Sequence, residues 1–325
     1  MLAIEINIRR VKERIYQITP GLLSWGTLIG LSTLALIVPF WIAIFIIIYD
    51  VYILTRAVYM SIHLIYAYIR MRRYSMIDWV ALCKEASARP NTPPWNKVQH
   101  AVLLPTYDES LEVLRTSLDS LKNSKFPRQQ LHVTVGFEER IGESARDKAA
   151  ALTREYSDTF GTFLTTFHPD GLPGEKRVKS ANAAWAMQHL EVKLEEQGIV
   201  IDDVLVSNLD SDTVVSPNYF SHLTHTFITH PDRYRVSYQP LPLYNNNLWD
   251  APAFSRVIAT GSTFWQMIES TRPERMVTFS SHAMTLRALR DVGYWQKDII
   301  SEERTASLLA LRRGRCFRRM RLRSG

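Results

Sequence analysis

The sequence predicts an α/β protein with a mostly parallel sheet, preceded by an N-terminal transmembrane helical hairpin. Three observations carry this. From about residue 98 onward, short apolar runs of strand length alternate with amphipathic helical stretches, the order that builds a parallel sheet. Ahead of them lies a long uncharged segment: no charged residue occurs between Arg14 and Asp50, and Leu22 to Ile48 is almost continuously apolar. Finally, the run Val204-Leu-Val-Ser-Asn-Leu ends in Asp210-Ser-Asp212, and ligands in such folds bind at the carboxyl ends of the strands.

A chain of 325 residues with 46% hydrophobic side chains and net charge +7 allows one sizeable core and something more. The extra element is the uncharged segment. It is too long for a signal peptide and no small-residue cleavage site follows it, whereas roughly twenty apolar residues span a bilayer. Residues 15–38 and 40–66 are expected to form two helices with a tight turn at Pro39. Arg9, Arg10, Lys12 and Arg14 flank one side and Arg70, Arg72 and Arg73 the other, which puts both ends in the cytoplasm. Asp50 and Arg56 count against two full spans, because charge inside a bilayer is costly. One crossing followed by an interfacial amphipathic helix is the alternative. The remaining positive excess sits beside this segment and in the C-terminal tail, with no nucleic-acid motif, so nucleic acid is not an expected partner. Cys83 and Cys316 lack metal-ligand spacing and point to a reducing compartment.

Residues 70–88 read as a helix at the membrane surface, and Arg89-Pro-Asn-Thr-Pro-Pro-Trp-Asn96 as a proline-rich linker. The globular domain is expected over 98–303. His100–Pro105, Leu131–Gly136, Thr162–Phe167 and Val204–Leu209 are its predicted strands. Leu111, Leu114, Leu118 and Leu121 fall on one face of a helix, and Arg146–Tyr156 and Lys179–Gln197 read as two more.

Four clusters fall at strand ends or in loops. Pro105-Thr-Tyr-Asp-Glu109 closes the first strand, and Asp108 or Ser110 there also suits a helix cap. Gly171-Leu-Pro-Gly-Glu-Lys-Arg-Val-Lys179-Ser-Ala-Asn182 joins a glycine-proline loop, three cations and a helix start, an arrangement suited to a diphosphate. Asp210 and Asp212, spaced i, i+2, share one face if the backbone stays extended, and two carboxylates suit a hard divalent cation. Asp298-Ile-Ile-Ser-Glu302-Glu303 supplies carboxylates for a general base or an exposed helix start. Each cluster alone also fits a solvated turn.

Taken in order, and together with Tyr238-Gln-Pro-Leu-Pro, Tyr244-Asn-Asn-Asn and Gly293-Tyr-Trp, these clusters resemble the family-2 glycosyltransferases. The closest likeness is to their membrane-anchored, cellulose-synthase-like branch with its GT-A nucleotide-sugar fold. The resemblance implies that Pro105, Tyr107 and Glu109 line a nucleotide pocket and that Lys179 and Asn182 lie near the diphosphate. It also implies that Asp210 and Asp212 hold Mg²⁺ or Mn²⁺ against the nucleotide-sugar donor, most simply a UDP-sugar. Glu302 and Glu303 match a Glu-Asp doublet whose second member is the general base, and Gln239 lies in a loop that approaches the sugars. Trp249, Trp265 and Trp295 are candidates for sugar stacking, with core packing the expected role of each.

The departures are specific. Relatives carry an aspartate pair after the second strand, where this chain has Gly136-Phe-Glu138-Glu139, so Glu138 is the candidate substitute. Glu303 stands where aspartate is usual. The family's Gln-x-x-Arg-Trp motif and C-terminal membrane helices are absent, and residues 304–325 form an Arg-rich tail, expected to reflect truncation or a lost reading frame. The expected function is therefore an inverting, metal-dependent glycosyltransferase with its catalytic domain on the cytoplasmic face of a membrane. Its acceptor would be a saccharide or lipid, and processive synthesis would need a further membrane subunit. The alternative is a non-catalytic, membrane-tethered nucleotide-sugar-binding subunit.

Overall fold

The structure, a computed structural model, describes residues 2–244, 248–249, 251–272, 281–297 and 318–320. The chain divides into two compact units, Met1–His63 and Leu64–Gly325.

The first unit holds helix α1 (Leu2–Ile37) and most of α2 (Pro39–Met76). Arg14–Ile37 and Pro39–Met76 are both long and apolar enough to cross a membrane. The connection between them is a single residue. Across it, the Val38 amide donates to Leu34 O at 2.8 Å and the Ile42 amide to Val38 O at 3.3 Å. Pro39 has no amide hydrogen, so one bond of the ladder is missing and the helix breaks there. The flanking i→i−4 bonds are kept on either side of it, and the two apolar helices it separates are those the sequence predicts for a hairpin.

In the second unit the sheet runs β3 (Thr162–His168), β2 (Leu131–Glu138), β1 (Gln99–Pro105), β4 (Val204–Asn208), β6 (Ala283–Thr285), β5 (Val236–Tyr238) and β7 (Arg318–Met320), among the described residues. Strands β1 to β4 are mutually parallel, and β6 enters antiparallel between β4 and β5. The strand order reverses between β1 and β4, which opens a crevice at their carboxyl ends.

Both faces of the sheet are covered, which is why the strands read as near-continuous apolar runs. On β1, Val102 and Leu104 face one side and join Leu114, Leu118 and Leu121 of α4 (Leu111–Lys122) with Ala149 and Leu152 of α5 (Glu143–Tyr156). Ala101 and Leu103 face the other, against Ala183, Ala184, Met187 and Leu190 of α6 (Lys179–Glu196). The alternation follows from the two-residue period of a strand.

The stretch expected as one surface helix from 70 to 88 differs. Helix α2 ends at Met76, and Asp78 caps α3 (Trp79–Ser87) by accepting from the Ala81 amide at 3.1 Å. Cys83 and Ala86 of α3 pack with Leu223 and Phe227 of α7 (Tyr219–Thr229) in a third core cluster, and Trp79 stacks on His222 at 3.8 Å. Polar residues interleaved through 70–88 suggested a surface, whereas the buried side is the short stripe Trp79-Cys83-Ala86. Helix α8 (Ala253–Ser270) exposes an apolar face made of Phe254, Val257, Ile258, Phe264 and Trp265. Trp249 is also exposed, at 81%, while Trp295 is buried in the core. Core packing thus holds for Trp295 alone among the three tryptophans. The short helix α9 (Leu286–Val292) follows β6 and leads to the buried Trp295.

Candidate active site

The crevice between β1 and β4 brings together three of the four clusters. Beyond β1, Glu109 folds its carboxylate back over the loop. Its Oε2 accepts from Thr106 Oγ1 at 2.5 Å and from the Tyr107 amide at 2.7 Å, and its Oε1 accepts from Ser211 Oγ at 2.7 Å. Burial alone would raise the Glu109 pKa, but the bonds from Thr106, Ser211 and the backbone outweigh it and hold the carboxyl below its usual range. Glu109 thus stays ionised and joins the loop after β1 to the loop after β4.

That second loop is a turn. Strand β4 stops at Asn208, and the Thr213 amide donates to Asp210 O at 2.9 Å. The expectation that Asp210 and Asp212 share one face of an extended strand is therefore corrected: what presents them is the turn and the inward anchoring of Ser211 between them. Ser211 is 5% exposed, its carbonyl accepting from Ser117 Oγ at 2.7 Å while its hydroxyl serves Glu109. Asp212 is exposed and Asp210 half-buried. On the far side, Ser281 sits at φ 66° and its hydroxyl accepts from the Asp210 amide at 3.4 Å.

The third cluster arrives through α6. Lys179, its first residue, donates from Nζ to Asp210 Oδ1 in a close ion pair, with the two side chains 27% and 41% exposed. Asn182, expected near the diphosphate, is 1% exposed and lies beneath the site. Its Nδ2 donates to Gly136 O at 2.8 Å and contacts Thr106 O at 3.5 Å, holding the ends of β1 and β2 together. Glycine at 136 makes room for this amide, because a Cβ there would collide with Asn182 Oδ1.

Glu138 is also buried, 6% exposed, with the Arg140 guanidinium at 3.4 Å and the His168 ring at 3.7 Å. The other nitrogen of His168 meets Glu175 at 3.0 Å, and Lys297 Nζ donates to Glu175 at 2.6 Å. Glu138 first, then Glu175, raises the His168 pKa against the opposing effect of burial. Burial acts to raise Glu175, but Lys297 and His168 hold it below the usual range. Two more bonds tie the glycine-proline loop to the late segment: the Lys176 amide to Lys297 O at 2.8 Å and Ser180 Oγ to Gln296 O at 2.6 Å. Tyr107 is 54% exposed and carries the Arg140 guanidinium over its ring at 4.8 Å. Pro105 ends β1, buried, and Gln239 lies just past β5 with its amide donating to Pro240 O at 3.1 Å.

Glu302, Glu303 and the rest of the fourth cluster lie outside the described residues. Sequence reasoning missed Thr106, Gly136, Ser211, His168, Glu175 and Lys297. Ser211 carried a signal, as the residue enclosed by the two aspartates. Glu175 and Lys297, 122 residues apart, carried none.

A divalent cation is the group this resemblance implies, and the residues fit it. Asp210 already holds a positive group, the Lys179 ammonium, where a cation would bind. Among the described residues no cluster of three or more His, Cys, Asp or Glu side chains could hold a metal, so two carboxylates would need ligand oxygens to complete the shell. That is the usual arrangement for a cation carried with a nucleotide.

No family model matches the chain, and no characterised protein matches it by sequence. Three solved structures are similar in shape. A mannosyltransferase from Pyrobaculum calidifontis in complex with GDP-Man and Mn²⁺ is 13% identical, with 81% of this chain and 66% of that chain covered at a TM-score of 0.46. TarS residues 1–349 from S. aureus is 14% identical, covering 68% and 57% at a TM-score of 0.41. The same TarS fragment in complex with UDP-GlcNAc is 14% identical, covering 66% and 53% at 0.39. The chain thus spans from about half to two thirds of the length of these three structures. At such TM-scores the architecture rests on its own strand order.

Proposed function

We propose that the chain is a metal-dependent glycosyltransferase of the GT-A type, related to family 2 and anchored in a membrane by α1 and α2. One observation carries the reading: the first-strand loop, the Asp-Ser-Asp turn and the basic start of α6 converge at the point where the strand order reverses, with Lys179 against Asp210. A crevice with two exposed or half-exposed carboxylates, a lysine and a helix N-terminus suits a nucleoside diphosphate and its cation.

In this reading Asp210 and Asp212 would hold Mg²⁺ or Mn²⁺, which when bound neutralises charge on the departing diphosphate. Lys179 adds a further positive charge on the same side. Glu109 keeps the two loops in register at the edge of the nucleotide pocket. Tyr107, exposed and backed by Arg140, offers a face to a nucleotide base. Glu303, with Glu302 beside it, is assigned the role of base by resemblance: it would take the acceptor hydroxyl proton as that oxygen attacks the anomeric carbon, giving inversion. Lys297 and Gln296, bonded to the donor loop, anchor the segment that leads to this doublet.

The membrane reading rests on the length and apolarity of α1 and α2. The exposed apolar face of α8 adds to it, since a contiguous patch of that kind marks an interaction surface. The cytoplasmic side follows from the flanking arginines.

Equilibrium binding of UDP- and GDP-sugars to the detergent-solubilised chain, with Mn²⁺, Mg²⁺ or chelator, tests the donor site. Metal-dependent binding of one donor, lost in Asp212→Ala, is expected. Binding indifferent to metal and to Asp212 would overturn it. Binding without any transfer would instead support the non-catalytic subunit.

A further inference from the structure

The ion pair at the site has a consequence for the order of binding. Lys179 and Asp210 neutralise one another, and both side chains remain partly exposed. A partly solvated pair of this kind is weakly held. Lysine carries its charge on a flexible four-carbon stem, and its backbone is fixed at the start of α6. There the neighbouring Ser180 hydroxyl donates to Gln296 O at 2.6 Å, and no side chain caps the helix. The ammonium is therefore able to swing away while its backbone stays in place.

A cation approaching without a nucleotide meets an unfavourable site. The Asp210 carboxylate already has an ammonium within contact. Among the described residues no further acidic or imidazole side chain is grouped closely enough to add a third ligand. A cation that arrives with a diphosphate meets a different site. The diphosphate gives the cation more oxygens, and it gives Lys179 a new anion next to an uncapped helix N-terminus.

We propose that Lys179 is a mobile counter-ion that makes cation binding depend on the nucleotide: it occupies Asp210 in the free protein and transfers to the diphosphate when cation and nucleotide bind together. The inference rests on the reading of the Asp-Ser-Asp turn as the donor site. Its effect is a coupling between two ligands, so the nucleotide must tighten the cation by the same factor as the cation tightens the nucleotide.

Titration of Mn²⁺ into the full-length detergent-solubilised chain, followed by electron paramagnetic resonance with and without saturating UDP or GDP, tests this. In the wild type, Mn²⁺ alone should bind weakly and the nucleotide should tighten it at least about tenfold, about 1.4 kcal/mol. Lys179→Met should bind Mn²⁺ alone about tenfold more tightly than the wild type, and the gain from nucleotide should shrink. Lys179→Gln provides the same test with a polar side chain, and Lys179→Arg should behave like the wild type. If both neutral variants bind Mn²⁺ alone no better than the wild type, while Asp210→Asn still abolishes Mn²⁺–nucleotide binding, the counter-ion role is overturned and the donor site stands. If Asp210→Asn binds Mn²⁺ and nucleotide as the wild type does, the donor-site reading falls and this inference with it.

Discussion

Glu109 and Ser211, 102 residues apart, meet in a 2.7 Å hydrogen bond that locks the loop after β1 to the turn bearing Asp210 and Asp212. The same carboxylate takes the Thr106 hydroxyl and the Tyr107 amide. Three donors converge on one ionised group, and hydrogen bonds to charged groups are among the stronger ones.

Replacing that acceptor tests the lock. Glu109→Gln removes the charge and turns an amide donor toward at least one existing donor. Loss of one such bond costs about 1.5–3 kcal/mol, and the variant should lose stability on that scale. Because the folded pKa of Glu109 is depressed, its contribution is present above the unfolded value of about 4.3 and is lost as pH falls through the lower folded one. Thermal unfolding of wild type and variant should differ clearly at pH 7, and the difference should shrink as pH is lowered below about 4.

Gly136 and Asn182 form a second coupled pair. In Gly136→Ala the new Cβ would collide with Asn182 Oδ1 and meet Ala186 Cβ at 3.4 Å. Overpacking of this kind costs about 1–3 kcal/mol. Asn182→Ala makes room but removes the Nδ2 donor shared by Gly136 O and Thr106 O, leaving Gly136 O with the Thr106 amide at 2.8 Å. The double variant should be less destabilised than the sum of the two, a non-additivity of contacting residues that unfolding measurements on all four proteins would reveal.

Buried histidines set the acid limit. Burial holds His100 down to about 3, with His132 adding to the effect, and holds His132 down to about 4 and His222 down to about 3. His100 bonds Thr224 at 2.8 Å, and His132 bonds Thr162 at 2.9 Å and Gln99 at 3.0 Å. All three stay neutral in the folded state, while the unfolded chain protonates them near pH 6.5. The unfolded state therefore binds more protons below that pH, and stability falls with each step downward by up to about 1.4 kcal/mol per pH unit per histidine. The unfolding midpoint should be flat above pH 7 and decline steeply between pH 6 and 4.

Cys83 is fully buried, donates to Ser221 O at 3.3 Å, and has its thiol pushed up to about 12 by burial first and the Asp78 charge second. Reaction requires thiolate and access. Its alkylation should be negligible in the folded chain and should appear with the global unfolding transition, as mass spectrometry of the peptide carrying Cys83 would record.

Much of the fold was legible because each element had a strong local pattern. The apolar runs ending at Pro105 and near Leu209 are β1 and β4, and the leucine spacing of α4 is its buried face. Strands β5 and β6 span three residues each and are defined by pairing alone, so no periodicity announced them. The junction at Ile77–Asp78 escaped notice because the sequence stays helix-compatible across it, and the break is made by the Asp78 cap. At the site, Lys179 and Asp210 were legible as chemistry but not as partners, since 31 residues separate them. Asn182 matched by residue type yet lies under the crevice, where its amide serves backbone carbonyls.

Metal-dependent turnover of a nucleotide sugar is tested by release of UDP or GDP from a panel of nucleotide sugars by the detergent-solubilised chain, with Mn²⁺ or Mg²⁺ and with chelator. Release from one donor is expected, requiring the metal, lost in Asp212→Ala and falling sharply in Glu303→Gln. Release that is unaffected by chelator and by Asp212→Ala would contradict it.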